Sequence, residues 1–505
     1  MKLLFGEGRR PLVAFVFVLG ALSILALTVF TNSRPGVVAP VVAVLVLVLV
    51  AWRTLLSWRT LLIATVFVIL FIPIRRYWIP ASLPFKLEPY RLFIAFIGLG
   101  WIASLLADPR VRFRRTGIDV PLMLFVFAAL VSLVANTDRV ASVSGEVNKA
   151  LVFFASFIVV FYLVSTTMRR LRDLDTVVKW IVSLGTVLGF LALFERQTGY
   201  NVFNHLTAIL PLHLDRTAIP TVDTRGGRLR VAASAQHPIA LGAAFAMLIP
   251  LALYLLRTKR RWYWWLSVGI IAIGGLVTGS RTAVLMMVTI VLVAVWLRPR
   301  EMKRLWPAII PLALVVHLAA PGTIGAIQDM FFPSGGLISE QKNTRVGSGR
   351  LATLGPVLRT EWEPHAIFGE GFATRITTKT DLVPVPNAPI TDDQWLSTLA
   401  ETGAFGALML AWMFLRFIRR AGREAKRDPG PRGWLIAACV ASVAAYAVGM
   451  FTYDAFSFIQ VTFLLFIILG LGCAAWRTVP EVVYQTAPAR RTLLPRGAIR
   501  APAAP

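Results

Sequence analysis

Apolar runs of helix-spanning length recur along the whole of this 505-residue chain, and they limit its fold more than any single motif does. About 20 apolar residues cross the hydrocarbon of a bilayer as a helix. Fourteen segments approach that pattern, at 12–30, 36–52, 60–73, 91–107, 118–134, 148–167, 176–195, 238–256, 262–279, 282–297, 305–320, 396–415, 433–450 and 457–476. The second and third are short; if they are tilted or re-entrant, the count falls to twelve with the same end-to-end topology. With 57% hydrophobic and 15% charged residues and a mean hydropathy of +0.71, the chain is expected to be an all-α polytopic membrane protein of about 12–14 transmembrane helices.

The formal net charge of +27 raises the question of nucleic acid. That function needs Lys and Arg gathered on one surface, whereas here they recur in short clusters between apolar runs, so no nucleic-acid partner is expected. Placing the N-terminus inside puts RTLLSWR, DPRVRFRR, RRLRDLD, RTKRR, RPREMKR and RFIRRAGREAKRDPGPR on the cytoplasmic face, as the positive-inside rule asks. The expected location is the inner (plasma) membrane, multi-pass, with both termini cytoplasmic. The run Leu12 to Phe30 is too long for a signal-peptide core and reads as a retained helix. Cys439 and Cys473 each sit inside an apolar run, which reads as buried thiols rather than a disulfide or metal site. The tail beyond Thr478 has the composition of a disordered segment.

One long polar interruption, from Pro321 to Gly403, cannot lie in hydrocarbon, because its charges and irregular backbone would be unsatisfied there. It falls on the outer side together with the loop Arg196 to His237, so a site shared by the two loops works outside the cytosol. The chain thus divides into N-terminal helices and the first long outer loop (1–237), central helices with a Gly-Ser-Arg turn (238–320), an outer loop expected to house the chemistry (321–395), C-terminal helices (396–477) and a cytoplasmic tail (478–505).

The motifs with chemical content lie at outer helix ends. In RGGRLRVAASAQHPIALG, Arg228 and Arg230 precede a His-Pro step, His237 and Pro238, that opens an apolar helix. Cations beside a helix N-terminus suit an anion, and they equally suit lipid headgroups. In TGSRTAVLMM, Arg281 sits in a tight turn between two apolar helices, where it either meets an anion or snorkels. Arg350, beside Gly347 and Gly349, is placed for a ligand, and Lys149, near the outer end of its segment, is a further cation for the same role. In TDDQWLSTLAETGAFG, Asp392 and Asp393 directly precede the returning helix. They read either as N-caps or as a general base whose pKa is set by the adjacent carboxylate and nearby arginines. His365 in EPHAIFGEGF reads as supporting rather than basic, and His237 and Trp395 are expected beside the site; no metal set has helpful spacing.

Together, HPIALG after an arginine, TGSRTAVLMM at a helix boundary, GSGR followed by IFGEGF, and DDQWLSTLAETGAFG resemble the O-antigen ligase and O-antigen polymerase superfamily. The resemblance covers about Arg225 to Leu415. It implies an all-helical glycosyltransferase C-type membrane fold and transfer of a glycan from an undecaprenyl-pyrophosphate carrier to an acceptor hydroxyl, on a glycan or a lipid, at the outer face, with no metal or nucleotide cofactor. It also implies that Arg230 and Arg281 hold the donor pyrophosphate, that Arg350 is the loop arginine, and that Asp392 and Asp393 occupy the place of the ligases' His-Asn pair. The aspartate departs from the ligase pattern and is similar to the Asp-Asn-Gln-Tyr-Leu version of polymerase-like relatives, with Trp395 in place of the tyrosine. Two other classes compete. A flippase of lipid-linked saccharide would want polar residues at mid-helix, which these segments almost lack, and a structural subunit would leave the arginines without a reason.

Overall fold

The computed structural model describes residues 57–80, 87–108, 111–220, 223–225, 228–305, 350–377 and 385–478, with isolated positions between 306 and 349; the side chains of Arg228 and Arg350 are not among them. Among the described residues there are eleven apolar helices: α1 (Trp58–Phe71), α2 (Pro89–Ala107), α3 (Asp119–Ala135), α4 (Ser144–Thr167), α5 (Leu171–Thr198), α6 (Pro238–Lys259), α7 (Tyr263–Val277), α8 (Arg281–Leu297), α9 (Gln394–Arg427), α10 (Pro431–Gly449) and α11 (Ile459–Arg477). Each matches one of the fourteen apolar runs. The other three, 12–30, 36–52 and 305–320, lie outside the described residues, as does the tail from 479. The chain is an all-α polytopic membrane protein. Among the described residues the strands are two short antiparallel ribbons, Tyr77–Trp78 with His213–Leu214 and Asp223–Arg225 with Arg228–Arg230.

The helices start where the side chains can cap them. Ser57 accepts from Thr60 N–H ahead of α1, Ser280 from Ala283 N–H ahead of α8, and prolines stand in the first turn of α2, α6 and α10. Burial ranks them. The apolar window of α11 is 100% buried, against 28% for α2. A helix apolar all round and buried all round is the centre of the bundle, and α11 packs there against α4 and α10. The alanine-rich α10 lies against α6, α8 and α9; its small side chains allow close approach, and Ser442 Oγ donates to the Met247 carbonyl of α6 (2.7 Å). Peripheral faces are apolar and uncovered, as with Phe96 (61% exposed) and Leu99 (67% exposed) on α2, which water would disfavour and lipid accepts.

The helix that begins at the carboxylates is longer than its apolar run. α9 counts 34 residues across a kink, and its stretch 404–427 alone rises about 36 Å at 1.5 Å per residue, against a hydrocarbon core of about 30 Å. The basic stretch after Leu415, read from sequence as a connection, continues the helix to Arg427. Near the other end α9 is broken at Gly403, with φ 66° and ψ −174°, a backbone region essentially limited to glycine. The break releases helix hydrogen bonds, and the segment 366–371 takes up four of the freed groups. Ala404 and Phe405 donate to the carbonyls of Ala366 (2.8 Å) and Ile367 (3.2 Å), and Glu370 and Gly371 donate to those of Ala400 (2.9 Å) and Glu401 (3.2 Å). Asn136 Nδ2 secures the Gly369 carbonyl (2.9 Å), and Ser132 donates to Glu401 O. The motifs IFGEGF and AETGAFG are therefore two halves of one backbone joint.

The joint predicts a sharp glycine requirement. A Cβ at Gly403 would lie 2.2 Å from Ile367 O, and one at Gly369, 2.3 Å from the Glu401 carbonyl carbon. Gly403→Ala is expected to lower stability by more than the ~1–3 kcal/mol that the backbone conformation alone costs, measured as thermal unfolding of the detergent-solubilised protein. Gly269→Ala in α7, with nothing within 4 Å of a new Cβ, should be neutral. Equal melting of the two variants would contradict the joint.

Candidate active site

The N-terminal ends of α6 and α8 bring two of the sequence-marked arginines together. Gly279 has φ 61° and turns the chain into α8, and Gly242 of α6 leaves room for the turn, since a Cβ there would meet Thr278 Oγ1 at 2.7 Å and Ala283 Cβ at 2.9 Å. Arg230, at the end of its ribbon, lies across this turn. Its Nε donates to the Thr278 carbonyl (3.2 Å), and its side-chain carbons lie 3.4 Å from a Cβ built on Gly279. Arg281 is the first residue of α8, so both guanidinium-bearing residues meet at one helix N-terminus, where free N–H groups add positive potential.

Buried polar groups fix the segment between Arg230 and α6. Arg76, 1% exposed, donates to Asn204 Oδ1 (3.1 Å) and to the carbonyls of Ala233 (3.0 Å) and Ala235, while the Glu195 carboxylate accepts from Ala233 N–H (2.8 Å). Burial pulls the Arg76 guanidinium down to about 10, against the opposing charge of Glu195. Gln460 of α11 reaches Ser234 Oγ (3.1 Å). His237 closes the segment as the N-cap of α6, its Nδ1 accepting from Ile239 N–H (3.1 Å).

At α9 the two aspartates do different things. Asp393 is the N-cap, with Oδ1 accepting from Leu396 N–H (3.0 Å). Asp392 stands one residue outside with φ 47°, left-handed and uncommon for a residue with a Cβ. Trp395 donates from Nε1 to the Ala447 carbonyl (2.9 Å) and packs on Phe414 and Phe451, so it ties α9 to α10.

The connection from α10 to α11 joins the two sides. Gln394 N–H donates to Met450 O (2.8 Å) and its Oε1 accepts from Phe456 N–H (2.6 Å). On the same connection Thr452 Oγ1 meets Thr282 Oγ1, next to Arg281, at 2.8 Å. Between these ties lies Asp454. Its carboxyl is raised above the ordinary range by burial first; Asp392 adds to the rise, and the Ser457 hydroxyl, Arg375 and Arg75 oppose it. The turn that carries Arg281 and the Asp392–Asp393 end of α9 are thereby attached to one short connection.

Behind the carboxylates is a buried ion network. Arg375, with 2% of its side chain exposed, donates from Nε to Glu361 Oε2 (2.7 Å), lies 3.5 Å from Glu370 Oε1, and donates to Ser397 Oγ (3.2 Å). Arg139 of the short helix Thr137–Ser142 pairs with Glu370 Oε2 (3.1 Å). The other sequence-marked residues lie elsewhere. Lys149 on α4 pairs with Glu146 (2.8 Å), and exposed His365 has Nδ1 3.4 Å from Glu361 O. Arg350 opens the short helix Arg350–Pro356, and Arg228 is in the ribbon that ends at Arg230. Among the described residues no three His, Cys, Asp or Glu side chains cluster as metal ligands would.

Fold and site together define a multi-pass membrane protein that presents arginines and carboxylates along one rim of its bundle. Residues 266–411, from within α7 into α9, match the family model described as O-antigen ligase, which is the superfamily the motifs resemble. The match supports, in general terms, a part in cell-surface polysaccharide biosynthesis. No curated protein matches the chain.

Sequence reading passed over Arg375, Glu370, Arg139 and Asp454. The signals were present: FATR ends the IFGEGF motif, and TYDAFS places an acid in a short outward turn between two apolar helices. Their partners are far apart in sequence, so nothing local marks them as a network. The network has a pH signature. Burial first, and then Glu361, raise Glu370 from 4.5 to about 7, against Arg139 and Arg375. A carboxyl raised on folding contributes stability that is fully present below its unfolded value and lost as pH rises through the folded one. Melting temperature should therefore fall between about pH 5 and pH 8, and Glu370→Gln should flatten that fall. Superimposable profiles for parent and variant would contradict it.

Proposed function

We propose that the protein transfers a glycan from an undecaprenyl-pyrophosphate carrier to an acceptor hydroxyl at the outer face of the cytoplasmic membrane, with both termini in the cytoplasm. The observation that carries this reading is the Met450–Ser457 connection, tied at Thr452 to the arginine turn and at Met450 and Phe456 to the carboxylate end of α9. The acceptor oxygen attacks the anomeric carbon as the bond from that carbon to the pyrophosphate oxygen breaks. Charge that develops on the departing pyrophosphate falls to Arg230 and Arg281, whose planar forks suit phosphate oxygens. The acceptor's proton goes to Asp392, the member of the pair not used as the helix cap. The O-antigen ligase match over 266–411 supports the reaction class, and the cations from Arg416 to Arg427 at the far end of α9 support the orientation.

The test is incubation of purified protein with an undecaprenyl-pyrophosphate-linked oligosaccharide and candidate acceptors, following product length and released carrier. Arg230→Ala and Arg281→Ala should each abolish transfer with melting unchanged, and the Lys variants should recover only part of it, because a point charge lacks the bidentate fork. A product ladder identifies a polymerase and a single addition a ligase. Normal turnover in both alanine variants would overturn the pyrophosphate assignment.

A further inference from the structure

At the end of α9 opposite the aspartates, a cavity of about 730 Å³ runs along the helix. Its one half is apolar and open, with Leu408 (62% exposed), Trp412 and Leu415 (49% exposed). Its other half is a column of arginines, among them Arg416, Arg419 and Arg423. Spacings of three and four residues put 408, 412, 415, 416, 419 and 423 on one helix face, so the arginine column stands directly above the apolar one.

Charge on this face is unbalanced. Like charges stacked four apart repel, and among the described residues the acid lining the cavity is Glu424, already shared by Arg427 (3.6 Å) and Arg432 (3.6 Å). Two of the arginines build the wall: Arg416 donates to Gly117 O and lies 5.7 Å from the Trp412 ring, and Arg420 lies 5.2 Å from the Trp476 ring. Arg419 and Arg423 are exposed. A general positive-inside bias asks only for cations somewhere in a connection. It does not require them stacked in a cavity above an apolar groove.

We propose that this face of α9 is a binding site for an anionic phospholipid of the leaflet on the arginine side. The groove at Leu408, Trp412 and Leu415 takes acyl chain, and the arginine column takes the phosphate through charge-assisted, bidentate hydrogen bonds. Basic pockets at a helix bundle's membrane boundary recognise headgroups in this way. A zwitterionic lipid fills the groove but leaves the column uncompensated.

The site is tested without any glycan, so its failure and that of the transfer reading are distinguishable. The full-length protein in mild detergent is titrated with phosphatidylglycerol, cardiolipin or phosphatidylcholine, and bound lipid is read by native mass spectrometry and by thermal shift. The parent should retain the two anionic lipids and melt higher with them, while phosphatidylcholine and inorganic phosphate should leave melting unchanged. Arg419→Gln with Arg423→Gln should weaken anionic-lipid binding roughly tenfold or more, and Arg170→Gln with Arg172→Gln, which removes the same charge elsewhere, should not. Equal binding of phosphatidylcholine, equal loss in the control pair, or unchanged binding in the Arg419/Arg423 pair would each overturn the site.

Discussion

A helix that breaks leaves backbone groups that something else must satisfy, and the break of α9 at Gly403 is the constraint on which the carboxylate end of this protein depends. The segment 366–371 meets them, donating where α9 exposes carbonyls and accepting where it exposes N–H groups. An otherwise irregular segment is thereby attached to α9 with defined register. Two glycines permit it, Gly403 by its conformation and Gly369 by the absence of a Cβ against Glu401.

The electrostatics of this rim follow from that attachment. Glu370, held at the joint, meets Arg375 and Arg139, and Arg375 in turn touches Ser397 on the first turns of α9. The aspartates that precede α9 are fixed from behind by this network and from the side by the α10–α11 connection. Division of labour between them is physical. Asp393 lowers the cost of starting the helix, and its neighbour stands one residue before the cap in a left-handed conformation. The arginines are fixed independently, by glycines that bring the Thr278–Arg281 turn against α6 and by Arg76 and Glu195 beneath the irregular segment that follows Arg230.

Much of this was legible in the sequence, for identifiable reasons. Apolar runs report bilayer thickness directly, so the eleven described helices fall where the runs do. Pro238, Ser280 and Asp393 mark helix starts because capping is local chemistry. The DDQW, TGSR and HPIALG motifs were readable as helix ends, and the structure places Arg230 on the turn that Arg281 closes. Less legible was what depends on distant pairing. IFGEGF and ETGAFG read as two motifs, and only the backbone hydrogen bonds between them make them one joint. The helical run to Arg427 was read as a loop because its charges were counted as a connection, although Ala421, Gly422 and Ala425 keep a buried stripe along it. Asp454 escaped notice since its neighbours Asp392 and Arg375 are some sixty to eighty positions away.

The account's central claim is that Asp392 serves as base at the same centre where the arginines receive the leaving pyrophosphate. Asn at either aspartate keeps size and much of the capping ability but cannot take a proton. The direct measurement is the initial transfer rate of Asp392→Asn and of Asp393→Asn across pH, with donor binding measured separately. A positioned general base contributes ~10²–10⁴-fold, so Asp392→Asn should lose turnover on that scale while binding donor like the parent, and Asp393→Asn should be mild. Parent-like turnover of Asp392→Asn at every pH would contradict the claim and leave catalysis to the arginines alone.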